Sequence, residues 1–169
     1  KSIKYIDDQI VIGEIMSKVE QKLKELNMKL PTPTKPLGAY LPFVKSGNLI
    51  FLSGHVPPVM TGEKEYKGKL WESLTVEEGY DAARLVGLNL LATLKTAISD
   101  LDRLNQIVKV LGMVNSTPDF NQHPKVINGF SELMINLYGD KGKHARSAVG
   151  LANLPFDIPV EIEMIVEIK

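Results

Sequence analysis

The sequence predicts an α/β (α+β) chain: a mixed sheet with two helices on one face, preceded by an N-terminal helix. Three patterns predict it. Two long stretches repeat apolar residues at three- and four-residue steps, the helical period. Residues 107–114 are almost continuously apolar, the pattern of a strand buried on both faces. Residues 160–168 alternate, as a strand does when one face points inward. At 169 residues the chain has the length of a single domain and can bury a substantial core.

Taken in order, Ile10-Val11-Ile12 is an apolar run too short to classify. From Gly13, the residues Ile15, Met16, Val19, Leu23, Leu26 and Leu30 recur at helical spacing with charged residues between them, which predicts an amphipathic surface helix. It stops before Pro31-Thr32-Pro33-Thr34-Lys35-Pro36, a stiff connector. Helix and connector make up residues 1–36 and set off a main domain, residues 37–169. Residues 40–45 and 49–53 are β-rich and flank Ser46-Gly47-Asn48, which predicts a hairpin. Residues 59–72 read as a loop.

Thr75-Val76-Glu77-Glu78 is a capping box, in which the Thr oxygen takes the Glu78 amide and Glu78 reaches back. A helix follows to about residue 101, with Ala83, Val86, Leu90, Leu91, Leu94, Ala97 and Ile98 as its apolar stripe. A further helix runs from Pro124, suited to a first turn, to Gly139, suited to a C-terminal cap. Its core face is Ile127, Phe130, Leu133, Met134 and Leu137. Two strands close the chain, 146–152 and 159–168. In the last, Val160, Ile162, Met164, Val166 and Ile168 share one face, and Glu161, Glu163, Ile165 and Glu167 the other. Strand–helix–strand crossovers are right-handed, so both helices fall on one face of a sheet with parallel neighbours. The bare face is left to solvent or another subunit. Ala148, Gly150, Ala152 and Ile165, assigned to it, are small or apolar and favour a subunit.

Composition excludes several classes of function. Apolar residues are 44% and charged residues 24%, which is ordinary for a globular chain. The formal net charge of +0 gives no electrostatic footprint for nucleic acid, and no aromatic platform is interleaved with the basic residues. No apolar run approaches the ~20 residues of a membrane span. Without cysteine there is neither a disulfide nor a thiolate site. That fits a reducing compartment and makes cytoplasmic placement the expectation, with an organelle open if a targeting segment has been removed ahead of Lys1. His55, His123 and His144 are the only histidines and have no metal-ligand spacing, so neither a metal nor a cofactor is expected. Phosphate-loop, dinucleotide and serine-elbow motifs are also missing.

Arg146 opens a strand beside Ala145, Ala148 and Gly150. A guanidinium is a planar two-pronged donor that fits a carboxylate, and small neighbours leave room for one. Against this stands an ordinary surface arginine paired with a local acid. Glu161 and Glu163 lie on the less apolar strand face, as a water-orienting pair or simply as a solvated face. His55 sits at a strand end beside Gly54 and is placed to line a pocket; His123 reads as part of a helix start.

Several motifs, in order, resemble one family. Gly142-Lys143-His144-Ala145-Arg146-Ser147-Ala148-Val149-Gly150, then Leu154-Pro155, then Pro159-Val160-Glu161-Ile162-Glu163 is similar to the C-terminal signature of the RidA/YjgF imine deaminases, also called L-PSP endoribonuclease-like proteins. Gly38-Ala39-Tyr40, Ser46-Gly47-Asn48-Leu49 and Leu52-Ser53-Gly54-His55-Val56-Pro57 resemble the N-terminal signature. The leading helix, Leu74–Tyr80 and Asn128–Leu133 look like a longer subgroup. The resemblance implies a chorismate-mutase-like fold over residues 37–169, with the final strand moved into the middle of the sheet. It also implies a homotrimer with sites in clefts between subunits.

The activity so implied is hydrolysis of 2-imino or enamine acids to 2-keto acids and ammonia. By position, Arg146 matches the arginine that grips the substrate carboxylate and Glu161 the acid that holds the attacking water. Tyr40, Gly54, His55, Asn128 and Ala148 match substrate-binding positions. Three of these neighbourhoods depart from the usual pattern: Leu41 replaces a serine, His55 a glutamine and Ala148 a cysteine. A non-catalytic trimer that senses carboxylate metabolites is the alternative, and an endoribonuclease a third reading that the neutral charge disfavours.

Overall fold

The computed structural model describes the backbone of residues 2–6 and 9–13, and residues 16–33, 36, 38–58 and 64–169 in full. Ile15, the Thr34-Lys35 part of the connector and loop residues 59–63 lie outside the described residues. Strands β1 (Ser2–Ile6) and β2 (Gln9–Gly13) pair antiparallel as a separate ribbon, so the run Ile10-Val11-Ile12 is strand.

Helix α1 spans Lys18–Glu25, less than its apolar periodicity predicts. Ser17 fixes the start: its Oγ accepts the Glu20 amide at 3.1 Å while the Glu20 carboxylate accepts the Ser17 amide at 3.3 Å. Asn27, at φ 59°, turns the chain out of the helix. Met16, Leu26 and Leu30 therefore lie outside α1, and Val19 and Leu23 are its buried residues. Asp102 accepts the amides of Lys18 and Val19 at 2.9 and 3.2 Å, fastening the positive end of α1 to the main domain.

The sheet contains β3 (Phe43–Ser46), β4 (Leu49–His55), β5 (Leu104–Asn115), β6 (Ala145–Leu151) and β7 (Val160–Ile168), in the order β3-β4-β7-β5-β6. Gly47, at φ 58°, makes the tight turn between β3 and β4. Helix α2 (Val76–Ile98) starts at the Thr75–Glu78 capping box, and α3 (His123–Tyr138) ends at Gly139. Strands β5 and β6 are parallel neighbours across α3. Strands β4 and β5 are joined by α2 but kept apart by β7, which runs antiparallel to both. The short link from β6 to β7 is thus a crossing over β5, made through a turn in which Phe156 and Asp157 have φ of 58° and 57°.

Val160, Ile162, Met164, Val166 and Ile168 point inward and are buried with Ile50, Val110, Leu90 of α2 and Phe130 of α3 in one cluster. The helices cross closely at Gly129, where a Cβ would lie 2.0 Å from the Tyr80 carbonyl oxygen. Only glycine lets α3 sit at this depth, which sets the height of Asn128 beside it.

Two expectations need correction. Strand β5 is buried on one face only; Leu111 and Met113 point outward and are half-buried. Ala148 and Gly150 lie on the helix side, not the bare face. Pairing with β5 sets Arg146 opposite Val110, Ala148 opposite Gly112 and Gly150 opposite Val114, and partners across a ladder share a face. The phase of an edge strand comes from its register, which its own small residues do not encode. Gly150 lies directly under the His123 ring, whose Nε2 would be 2.3 Å from a Cβ there, and Ala152 falls beyond the end of β6. The bare face remains apolar by other residues: Val44, Phe51 and Val149 are exposed on it beside Ile165.

Gly129→Ala is predicted to lower stability by about 2 kcal/mol through overpacking at the α2–α3 crossing. Urea unfolding measures this, and a change below about 0.5 kcal/mol would contradict the close crossing.

Candidate functional site

Strand β6 runs back along α3, with Gly150 near its end against His123 at the helix start. Arg146 lies opposite Asn128 and Ser131, three residues apart and hence on one helical face. Its Nη1 donates to Asn128 Oδ1 and to Ser131 Oγ, both at 2.9 Å. Its Nη2 donates to the Pro124 carbonyl at 3.4 Å. These acceptors are all neutral, and burial lowers the pKa of the guanidinium from its ordinary value. A guanidinium has five N–H donors. Three have partners here, and no described residue takes Nε–H or the second Nη2 proton. The open edge is a two-pronged donor, the shape a carboxylate fits.

Glu161 occupies a different place. It alternates with the buried Val160 and Ile162, so it points to the bare face of the sheet. Its carboxylate packs on Gly54, where a Cβ would be 1.9 Å from Oε1. Glycine is needed here because a side chain would occupy the carboxylate's position. Burial, and then the neighbouring Glu163, raise the Glu161 pKa. Glu161 and Gly54 form part of an open pocket of about 280 Å³ with Tyr40, His55, Pro155 and Phe156. Tyr40 and Phe156 are its exposed aromatic rim, 54% and 71% accessible.

His55 borders this pocket, but its ring is engaged behind it: Nδ1 is 2.7 Å from Ser53 O and Nε2 is 2.7 Å from Thr93 Oγ1. The ring clasps the chain across Gly54 at the irregularity between Leu52 and His55, and burial lowers its pKa. Ala148 lies half-buried on the helix side, two residues beyond Arg146.

The sequence-derived residues thus fall into two groups. Tyr40, Gly54, His55 and Glu161 share the pocket, while Arg146, Asn128 and Ala148 share the β6–α3 seam. Within one chain they sit on opposite faces of the sheet, with β5 between β6 and β7. Sequence reasoning missed Ser131, Thr93, Phe156 and Asn115. Asn115 is fully buried and donates to Ile158 O at 3.2 Å, holding the turn that carries Phe156. A polar residue closing an apolar strand was its available signal; Ser131 and Thr93 had none, since each acts across a helix–strand contact. Among the described residues no three His, Asp or Glu side chains converge as a metal site, and no helix is long and apolar enough to cross a membrane.

A sheet with its last strand inserted between β4 and β5, backed on one face by α2 and α3, is the chorismate-mutase-like α+β fold. The chain belongs to the family described as "YjgF/chorismate mutase-like, putative endoribonuclease", whose profile matches residues 20–167. Protein TCP17 of Trypanosoma cruzi is 40% identical over 153 residues, 90% of this chain and 95% of that protein. The crystal structure of Atu1372 from Agrobacterium tumefaciens, a protein of unknown function, is 40% identical with a TM-score of 0.82, covering 90% of this chain and 93% of that one. A 2-iminobutanoate/2-iminopropanoate deaminase of Dermatophagoides farinae is 27% identical over 139 residues, 82% of this chain and 93% of the deaminase.

Gly54→Ala is predicted to push the Glu161 carboxylate off the pocket floor while the backbone stays in place, because the clash is with a side-chain end. A crystal structure of the variant tests this; an unmoved Glu161 would contradict it.

Proposed function

We propose that the protein hydrolyses 2-imino or enamine acids to 2-keto acids and ammonia, in a cleft that joins the Arg146 seam of one copy to the Glu161 pocket of another. The observation that carries this reading is the unclaimed two-pronged edge of Arg146, held by neutral partners. Among the described residues no acid pairs with this half-buried cation, which suits it to an anionic ligand. The similarity to a 2-iminobutanoate/2-iminopropanoate deaminase supports the substrate class. The apolar bare face of the sheet supports assembly, with a homotrimer as the proposed form.

The chemistry asks little of the protein beyond placement. Arg146 binds the substrate carboxylate, which fixes the neighbouring imine carbon. Glu161 accepts a proton from water as the water oxygen bonds to the carbon of the protonated imine, the tautomer an enamine acid also reaches, giving a neutral carbinolamine. That proton then passes from Glu161 to the nitrogen; the hydroxyl returns its own proton to Glu161 as its oxygen forms the C=O bond, the C–N bond breaks, and ammonia leaves with the keto acid behind. No metal or redox partner enters this balance. Glu161 acts only when ionised. The rate therefore rises with pH through its pKa, which burial and Glu163 place above the ordinary carboxylate value.

The assay couples the protein to a dehydratase that generates 2-aminoacrylate and follows keto-acid release. Arg146→Ala is predicted to lower kcat/KM by about 100-fold, as loss of a hydrogen-bonded charge does. Glu161→Gln is predicted to cost a similar factor, within the range of general base catalysis, and to abolish the acid limb of the pH profile. No acceleration by the wild type with any imine, or an unchanged rate in Arg146→Ala, would overturn the proposal. Keto-acid binding without turnover would point instead to a carboxylate-binding protein.

A further inference from the structure

Two of the three histidines are held in the same way, and in one of them the hold ends on Arg146. His55 joins Ser53 O through Nδ1 and Thr93 Oγ1 through Nε2. His144 lies 2.7 Å from Gly142 O through Nδ1 and 3.0 Å from Ser131 Oγ through Nε2. In each, Nδ1 meets the carbonyl two residues earlier and Nε2 meets a helix hydroxyl. A carbonyl only accepts, so Nδ1 carries the proton, and Nε2 of the neutral ring must accept from the hydroxyl. Burial keeps both rings towards the neutral form, helped at His144 by the adjacent guanidinium. The His144 ring is also braced edge-on against buried Phe130, at 5.7 Å between centroids.

The consequence for Ser131 is definite. Its single proton goes to His144, so its lone pairs face the Arg146 Nη1 at 2.9 Å. Free of that partner, a serine hydroxyl inside a helix turns its proton to a backbone carbonyl of the preceding turn, and its oxygen is no longer aimed at Arg146. With both Nη1 protons taken by Asn128 and Ser131, the guanidinium can rotate neither about its bond nor in its plane without losing a partner.

We propose that His144 and Ser131 are a positioning pair for Arg146: His144 orients the Ser131 hydroxyl, and Ser131 with Asn128 turns the open guanidinium edge toward a ligand carboxylate. This rests on the reading of Arg146 as the carboxylate grip. His144 itself touches no ligand; it acts through Ser131.

The first test needs no ligand. In the full chain labelled with ¹⁵N-histidine, long-range ¹H–¹⁵N correlation spectra at neutral pH should show His144 protonated at Nδ1 and bare at Nε2; the opposite tautomer would overturn the pair. The second test is calorimetry with 2-oxobutanoate. Ser131→Ala and His144→Ala should each weaken binding by about tenfold, the range for a hydrogen bond to a charged group. The double variant should bind no more weakly than Ser131→Ala alone, because His144 works through that hydroxyl. His144→Gln, whose amide oxygen can take the Ser131 proton, should recover most of the affinity. Additive losses, or wild-type affinity in both single variants, would overturn the pair. A wild type that does not bind 2-oxobutanoate, or an Arg146→Ala variant that binds it equally well, contradicts the grip itself, and the tautomer still decides the positioning pair.

Discussion

The position of β7 between β4 and β5 governs the rest of the structure. Its inward residues, from Val160 to Ile168, form the middle of the core, and its two-residue alternation then forces Glu161 and Glu163 onto the other face. Because β7 borders β4, Glu161 meets Gly54, and the bulge there, pinned by His55, leaves space for a carboxylate. Because β7 also borders β5, strand β6 is displaced to the sheet edge, where Arg146 faces α3. One strand placement thus separates an acid and a cation that otherwise suit one ligand.

Each half of the candidate site is supported by the main fold rather than by loops alone. The Arg146 half depends on the depth of α3, which Gly129 permits, and on neutral acceptors that leave the positive charge available. The Glu161 half depends on α2, which supplies Thr93 behind His55, and on Asn115, which secures the turn bearing Phe156. Neither half neutralises the other inside one chain. Bringing them together in a second copy would set a charge that burial disfavours near the opposite charge, which stabilises both.

Most of the secondary structure was legible in the sequence because the residues that set it are local. The Thr75–Glu78 box, Gly139 and the alternation at 160–168 act within a few positions. The early limit of α1 was also locally encoded, by Ser17 and Glu20, but the longer apolar periodicity masked it. The insertion of β7 came from family resemblance; a short link between β6 and β7 otherwise suggests a hairpin. The facing of Ala148 and Gly150 was not legible, since parallel pairing with β5 sets it. At the site, Arg146 and Glu161 were found by motif. Ser131 was not, because its partners Arg146 and His144 lie 15 and 13 residues away across the seam.

The central claim is that a complete site takes Arg146 from one copy and Glu161 from the next. It is tested most directly by mixing two inactive variants. Arg146→Ala and Glu161→Gln chains are unfolded together in equal amounts, refolded, and assayed for imine hydrolysis. In a cyclic assembly with head-to-tail interfaces, about one interface in four then pairs an intact Arg146 with an intact Glu161, so activity should return to about a quarter of the wild-type value. Activity that stays at the sum of the two separate variants would contradict the shared site.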